Sequence, residues 1–217
     1  AHMLADSKKI QKLMYKDTKM DVWNLNYFTY WGEKMILPQR KNNYVIVYLN
    51  LSKFRRFNVI YGWSTGERML EVLVKTLLPM INPETEICAR NQGDRFVLLL
   101  NYKDETALFE RLNKIRIAIE TKLKANGGED LKLQLGVYFI PSKEVDVRRG
   151  INCANQALEF VDSNVGDNIK VYDESLQEVL KERHDREKLL DSVDFHKDFV
   201  AFYQPKVDIR DDKIVGA

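Results

Sequence analysis

Cysteine is scarce in this chain: Cys88 and Cys153 are the only two in 217 residues. Both sit in apolar sequence contexts, which excludes a disulfide framework and reads as small core residues of a reducing, cytoplasmic compartment. Histidine is nearly as scarce, and His2, His184 and His196 are too scattered to have metal-ligand spacing. No apolar run approaches the roughly 20 residues that cross a bilayer, so no spanning segment and no membrane contact are expected. Neither charge sign dominates. With 34 basic and 32 acidic side chains the net charge is +2 and the pI about 8.4. That balance is too mild to argue for nucleic acid or an anionic membrane as a partner. What is present is ordinary globular material, 45% hydrophobic and 30% charged, enough for a real core. The length fits one large domain, or one domain plus a fragment. Ala1-His2-Met3 looks like a cloning remnant and is set outside fold reasoning.

Periodicity orders the elements. Lys9 to Lys19 is helical in pattern, and a second helix is expected from Trp23 to Met35, ended by Pro38 and the loop Gln39 to Asn43. Tyr44 to Leu51 is almost continuously apolar, the pattern of a strand buried on both faces. Ser52 is placed to cap a short helix through Ile60, which Gly62 stops. A longer helix follows from Ser64 or Thr65, with Met69, Leu70, Leu73, Val74, Leu77 and Leu78 on one face. After the hairpin Ile87 to Leu100, Asp104 caps a helix to about Lys124, and Asn126-Gly127-Gly128 ends it. Leu131 to Ile140 alternates as a strand, Val145 to Val161 is helical, and Ile169 to Tyr172 is a short strand. Helices alternate with strands around a central hairpin, so the class is α+β with a mixed sheet, ferredoxin-like or palm-type. Asp173 to Val193 then reads as a charged connector helix. Phe199 to Ile209 and Ile214 to Ala217 are two strand-like runs, expected to open a further domain.

The hairpin carries the strongest functional pattern. Ile87 to Asn91 is one strand, Phe96 to Leu100 a very apolar second one, and Gly93-Asp94 lies at the tip. A glycine beside a carboxylate on such a turn suits close approach of a nucleotide to backbone and an acid that holds a metal. Here the glycine is preceded by Gln92 and the acid is followed by Arg95, so part of that chemistry is missing.

These residues, in this order, resemble the GGDEF domain, the diguanylate cyclase fold that makes cyclic di-GMP from two GTP; the resemblance runs from Asp17 to Asp173. The family's D-x-L-T-G-L-x-N-R entry reads Asp17 to Leu25, keeping Asp17 and Asn24. Its D-x-D-x-F-K-x-x-N-D-x-x-G-H-x-x-G-D stretch reads Asn50 to Glu67, keeping Phe54, Asn58, Gly62 and Gly66, with Glu67 for the last aspartate. The signature R-x-G-G-D-E-F reads Arg90-Asn91-Gln92-Gly93-Asp94-Arg95-Phe96. Leu135-Gly136-Val137 and Ala154 to Leu158 match the later S-x-G-V and A-D-x-A-L segments in part. Phe202 to Val207, followed by Ile214 to Ala217, looks like the first strands of an EAL phosphodiesterase domain. The implied organisation is a remnant and linker helix over 1–16, a degenerate GGDEF domain over 17–173, a connector over 174–195 and the start of an EAL domain over 196–217.

The resemblance gives each departure a chemical meaning. Such transfers depend on positioning and on Mg²⁺ bridging phosphates and carboxylates. The two acid positions of the metal strand are Asn50 and Ser52, leaving Asp94 as the one retained metal acid. Arg95 adds a cation whose repulsion of a divalent ion at about 4–6 Å is on the order of a few kcal/mol, unless it points outward as strand alternation allows. The family's phosphate-clamping lysine falls on Asp162, and its G-R-N turn on Gly166-Asp167-Asn168, so two cations become two anions. Gln92 puts a side chain where nucleotide lies against backbone. Trp63, for a histidine, is expected to pack into the core. Asn58 and Glu67 retain the means to hydrogen-bond a guanine edge, or serve as ordinary helix-surface residues. The product-inhibition motif R-x-x-D reads Pro83 to Glu86 and is absent. The expectation is a catalytically inactive regulatory or dimerisation module in a cyclic di-GMP signalling protein, controlling its own C-terminal EAL phosphodiesterase. No cofactor is expected beyond Mg²⁺ accompanying any bound guanine nucleotide, and a homodimer is a possible assembly. An active diguanylate cyclase and an interaction scaffold without nucleotide binding are the alternatives.

Overall fold

The order of elements is written into a six-stranded sheet with helices on both faces. The structure, a computed structural model, describes residues 14–37, 43–141, 146–161, 168–191, 200, 202, 204–210 and 213–216. In chain order these form β1 (Trp23–Asn24), α1 (Leu25–Ile36), β2 (Asn43–Ser52), α2 (Phe54–Tyr61) and α3 (Trp63–Leu77). Next come a 3₁₀ turn (Leu78–Met80), β3 (Ile87–Gln92), β4 (Arg95–Tyr102), α4 (Glu105–Ala125), β5 (Lys132–Phe139), α5 (Val147–Glu159) and β6 (Ile169–Val171). The strand order is β1-β3-β4-β2-β5-β6. In the run β3-β4-β2-β5 each strand is antiparallel to its neighbour, whereas β1 on β3 and β6 on β5 are parallel. The four inner strands thus make the ferredoxin-like pattern of two interleaved βαβ units, and the sheet is mixed as expected.

β2 explains why its sequence is apolar without alternation. Val45, Val47, Leu49 and Leu51 enter one core with Leu70 and Leu73 of α3 and Leu112 and Ile115 of α4. Tyr44, Ile46 and Tyr48 enter the other, with Phe28 of α1 and Ile151 and Ala154 of α5. A central strand covered on both faces needs hydrophobic residues at both parities. Cys88 and Cys153 are buried and free, one in each core, and burial pushes the Cys88 thiol up to about 12.

Several boundaries move. The first helix does not reach Lys19: Met14 and Tyr15 are helical, but Asp17 Oδ1 accepts from the backbone N–H groups of Lys19 and Met20 at 2.9 and 2.8 Å. That local turn competes with the helix and ends it. Trp23 is a strand residue paired with Ala89, and Asn24 caps α1 by accepting from Tyr27 N–H at 3.1 Å. Ser52 does not cap α2. It ends β2, and the capping position is Lys53 at φ +62, with no side-chain cap bond. Gly62 does stop α2, but α3 starts at once with Trp63. Trp63 is 74% exposed, so the expectation of a core tryptophan is overturned: one residue past the Gly62 turn, its side chain leaves the packed face. Asp104 caps α4 as expected, through Ala107 N–H at 2.8 Å. α5 begins at Val147 because Asp146 Oδ1 accepts from Arg149 N–H at 2.9 Å; Val145 lies outside the described residues.

The chain divides into two compact units, Ala1–Tyr172 and Asp173–Ala217. Within the second, α6 (Glu174–Asp191) is capped by Asp173, which accepts from Leu176 N–H at 3.0 Å. β7 (Lys206–Asp208) and β8 (Lys213–Gly216) pair antiparallel. No described helix is long and apolar enough to cross a membrane.

Candidate functional site

The β3–β4 tip is assembled by a buried arginine. Gly93 takes φ +59, a conformation that disfavours any side chain, and thereby turns the chain. Its carbonyl accepts from Arg90 Nε at 2.9 Å and Nη2 at 2.7 Å, while Arg90 Nη1 reaches Asp17 Oδ1 at 3.1 Å. Arg90 is 5% exposed. A guanidinium in that setting needs its donors filled, and the fork satisfies them with one carbonyl and one carboxylate. The same Asp17 oxygen caps the turn that follows it. The N-terminal approach and the signature turn are therefore tied by one ion pair. Sequence inspection placed Asp17 and Arg90 in two separate motifs; their partnership, 73 residues apart, was not visible.

Across the tip lies the end of β2. Asp94 Oδ2 accepts from Leu51 N–H at 3.1 Å, which sets the retained acid against the Asn50-Leu51-Ser52 strand end. Burial pushes the Asp94 carboxyl above the usual range; the hydrogen bonds from its own backbone and Leu51, and the cations Arg95 and Arg90, pull the other way but less. Asn50 Oδ1 is buried with no hydrogen-bond partner, and Ser52 is half-buried. Arg95 is exposed, as strand alternation allowed, so its repulsion of a cation is screened by solvent. Gln92 is exposed at the end of β3 opposite Arg95, after a register shift, and the left-handed turn position falls on Gly93 instead. Phe96 is fully buried beneath the tip. Among the described residues, no group of three or more His, Cys, Asp or Glu is arranged to hold a metal.

The pH response of this corner has a definite sign. Asp94 has a raised folded pKa, so the native state binds the extra proton above the unfolded pKa. Stability then falls as pH rises from the ordinary aspartate range through the folded value, and is flat above it. Asp94→Asn keeps an acceptor for Leu51 N–H and removes the charge. We expect its urea midpoint at neutral pH to exceed the wild type's, with that part of the pH dependence lost; a lower midpoint in urea melts from pH 4 to 8 would contradict the assignment.

Asn58 packs beside Gly66, the chain neighbour of Glu67, but the Asn58 and Glu67 side chains differ in exposure. Asn58 is 4% exposed, which corrects its reading as a surface residue: it faces inward with Phe54 and Phe57 on α2. Its Oδ1 has no donor and packs on Gly66, where an added Cβ would come within 1.8 Å. Gly66 is therefore required for that packing. Glu67, next in sequence, is exposed but engaged by Lys19 Nζ at 2.8 Å, and this contact holds its carboxyl below the usual range. Lys19 was not foreseen as a neighbour. Asp162, Gly166 and Asp167, the candidate phosphate-clamp positions, lie outside the described residues.

Comparison with known proteins places the chain among relatives. The family model described as Diguanylate cyclase, GGDEF domain, matches residues 15–167. The diguanylate cyclase DosC of Escherichia coli K12 is 26% identical over 133 residues, 60% of this chain and 29% of DosC. The cyclic di-GMP phosphodiesterase PdeB of Shewanella oneidensis is 22% identical over 165 residues, 74% of this chain and 19% of PdeB. The chain thus matches less than a third of the length of either relative. Among solved structures, the coiled coil and GGDEF domain of DgcB from Caulobacter crescentus, in complex with c-di-GMP, superposes with a TM-score of 0.66 at 14% identity. That match covers 78% of this chain and 92% of the DgcB chain, and it shows a common fold.

Proposed function

The chain belongs to the diguanylate cyclase GGDEF family, and from that premise we propose that it is a catalytically silent member acting as a regulatory module. Its setting is a cyclic di-GMP signalling protein, where it controls a C-terminal EAL phosphodiesterase. The observation that carries this reading is the corner formed by Asp94 and the end of β2. One carboxylate, bonded to Leu51 N–H, lies at a strand end whose flanking residues offer a neutral amide at Asn50 and a hydroxyl at Ser52. Mg²⁺ takes hard anionic oxygens in tight octahedral geometry, and its catalytic use in phosphoryl transfer needs charge as well as oxygen. The residues present do not fit that ion, so no transfer step is assigned to them.

The base side supports the same reading. Asn58 keeps its acceptor turned against Gly66, and Lys19 already occupies the Glu67 carboxylate. A guanine edge has to displace one contact and reorient the other before it is recognised. The link to a phosphodiesterase draws on the tail, whose residues Phe202 to Val207 and Ile214 to Ala217 resemble in sequence the opening of an EAL domain, and on the alignment with PdeB. In this arrangement the Arg90–Asp17 tie gives the domain a mechanical route between its N-terminal approach and the signature turn.

The direct test is a cyclase assay with GTP and either Mg²⁺ or Mn²⁺. No cyclic di-GMP is expected at enzyme concentrations where an active family member turns over fully; detectable product sinks the silent reading. Calorimetric titration with GTP then separates a nucleotide-sensing module, which binds, from a scaffold, which does not.

A further inference from the structure

The outer face of α2 carries an exposed apolar surface next to cations that form no ion pair among the described residues. The inward face of this helix is Phe54, Phe57 and Asn58, all buried. The outward positions are Arg55, Arg56, Val59 and Ile60, and Trp63 continues the row past Gly62. Val59 is 79% exposed, Ile60 57%, Tyr61 52% and Trp63 74%. Among the described residues of this unit, no other stretch exposes four large apolar side chains within five positions. Scattered exposed hydrophobics are normal, whereas a contiguous group rimmed by polar residues marks an interaction surface.

Charge selects the kind of occupant. Lys53, Arg55 and Arg56 are exposed and form no ion pair among the described residues. Beside them lies a cleft of about 150 Å³, with Phe57, Ile60 and Tyr61 as apolar walls and Lys53, Arg56 and Asp130 at its polar edge. Drug-sized ligands take pockets of roughly 300–1,000 Å³, so this cleft suits a single inserted side chain. A second copy presenting the same face would set three cations and one carboxylate against the same set, a net like charge that opposes self-association. A flat lipid surface would leave the concave cleft unfilled, whereas an inserted side chain fills it.

We propose that the α2 outer face, from Lys53 to Trp63, docks a partner protein through a segment that carries one bulky apolar side chain flanked by carboxylates. The apolar residue enters the cleft against Phe57 and Ile60. The acids meet Arg55 and Arg56, and Trp63 covers the contact from one side. Exposed aromatics and arginines of this kind dominate binding energy at protein interfaces. The docking is independent of whether the domain handles nucleotide.

The probe is a short fluorescein-labelled peptide alternating glutamate with leucine, read by anisotropy against the whole chain. Saturable binding is expected, weakened at least tenfold by Arg55→Glu with Arg56→Glu and, separately, by Trp63→Ala. All three side chains are exposed, so circular dichroism and urea midpoints should stay near the wild type's. A peptide alternating lysine with leucine should bind at least tenfold more weakly. Absence of binding, equal binding by the variants, or equal binding of the lysine peptide overturns the proposal. So do preferential retention on phosphatidylserine vesicles, which makes the occupant a lipid surface, and a Trp63-dependent dimer in sedimentation, which makes it a second copy.

Discussion

Glu86→Ala should remove about 3–5 kcal/mol of unfolding free energy, the usual cost of breaking a buried ion pair by deleting one partner. The Glu86 side chain is 1% exposed. It accepts from Arg111 Nη1 at 2.6 Å and Nη2 at 2.7 Å, and from the backbone N–H groups of Asn82 and Asn101 at 2.8 and 3.2 Å. Arg111 in turn donates to Met80 carbonyl at 2.8 Å. One carboxylate thus joins the 3₁₀ turn, the approach to β3, the end of β4 and α4. Truncation leaves two inward N–H donors and a partly buried guanidinium without their acceptor. Glu86→Gln keeps an acceptor and a donor in the same space, so its loss should be smaller. Urea denaturation of both variants checks the ranking; a loss under about 1 kcal/mol for the alanine variant sinks it.

The second large effect is a gain. Asn50→Asp, Gln92→Gly, Arg95→Glu and Asp162→Lys together should raise affinity for Mg²⁺-GTP at least about a hundredfold, equivalent to ~2.8 kcal/mol. Asn50→Asp adds a second carboxylate at the strand end that Asp94 faces, where a divalent ion gains most from charge. Gln92→Gly clears the backbone that a nucleotide approaches. Arg95→Glu exchanges an exposed cation for the family's acid. Asp162→Lys rests on the family resemblance and replaces an anion by a cation on the phosphate side. Calorimetry on the purified variant supplies the affinity, and circular dichroism establishes that it is folded. A folded variant that still ignores the nucleotide would show that these positions are mapped onto the wrong site.

The fold was legible in one dimension to the extent that local pattern and burial coincide. β2 announced its two-sided burial through a run of hydrophobics at both parities. Asp104 and Gly62 announced a helix start and a helix stop by their own chemistry. Failures cluster where a distant partner outweighs local preference. Trp23 has the look of a helix residue, yet pairing with Ala89 draws it into the sheet. Ser52 is a good capping residue on paper, but ladder bonds to Lys132 keep it in β2, and Lys53 takes the turn at φ +62. Trp63 looks like core by composition. Its position one residue after Gly62 turns it outward.

Sequence alone determined the fold class, the position of the glycine-acid turn and the presence of an amide and a hydroxyl, Asn50 and Ser52, at the end of β2, because these depend on residue identity and short-range spacing. Only the tertiary structure decided that Asp94 is bonded to Leu51 N–H, that Lys19 holds Glu67, that Arg90 ties Asp17 to Gly93, and that Asn58 faces inward. Each of these is a contact or a burial set by how separate elements pack, and residue type does not encode which distant group will lie within 3 Å of it.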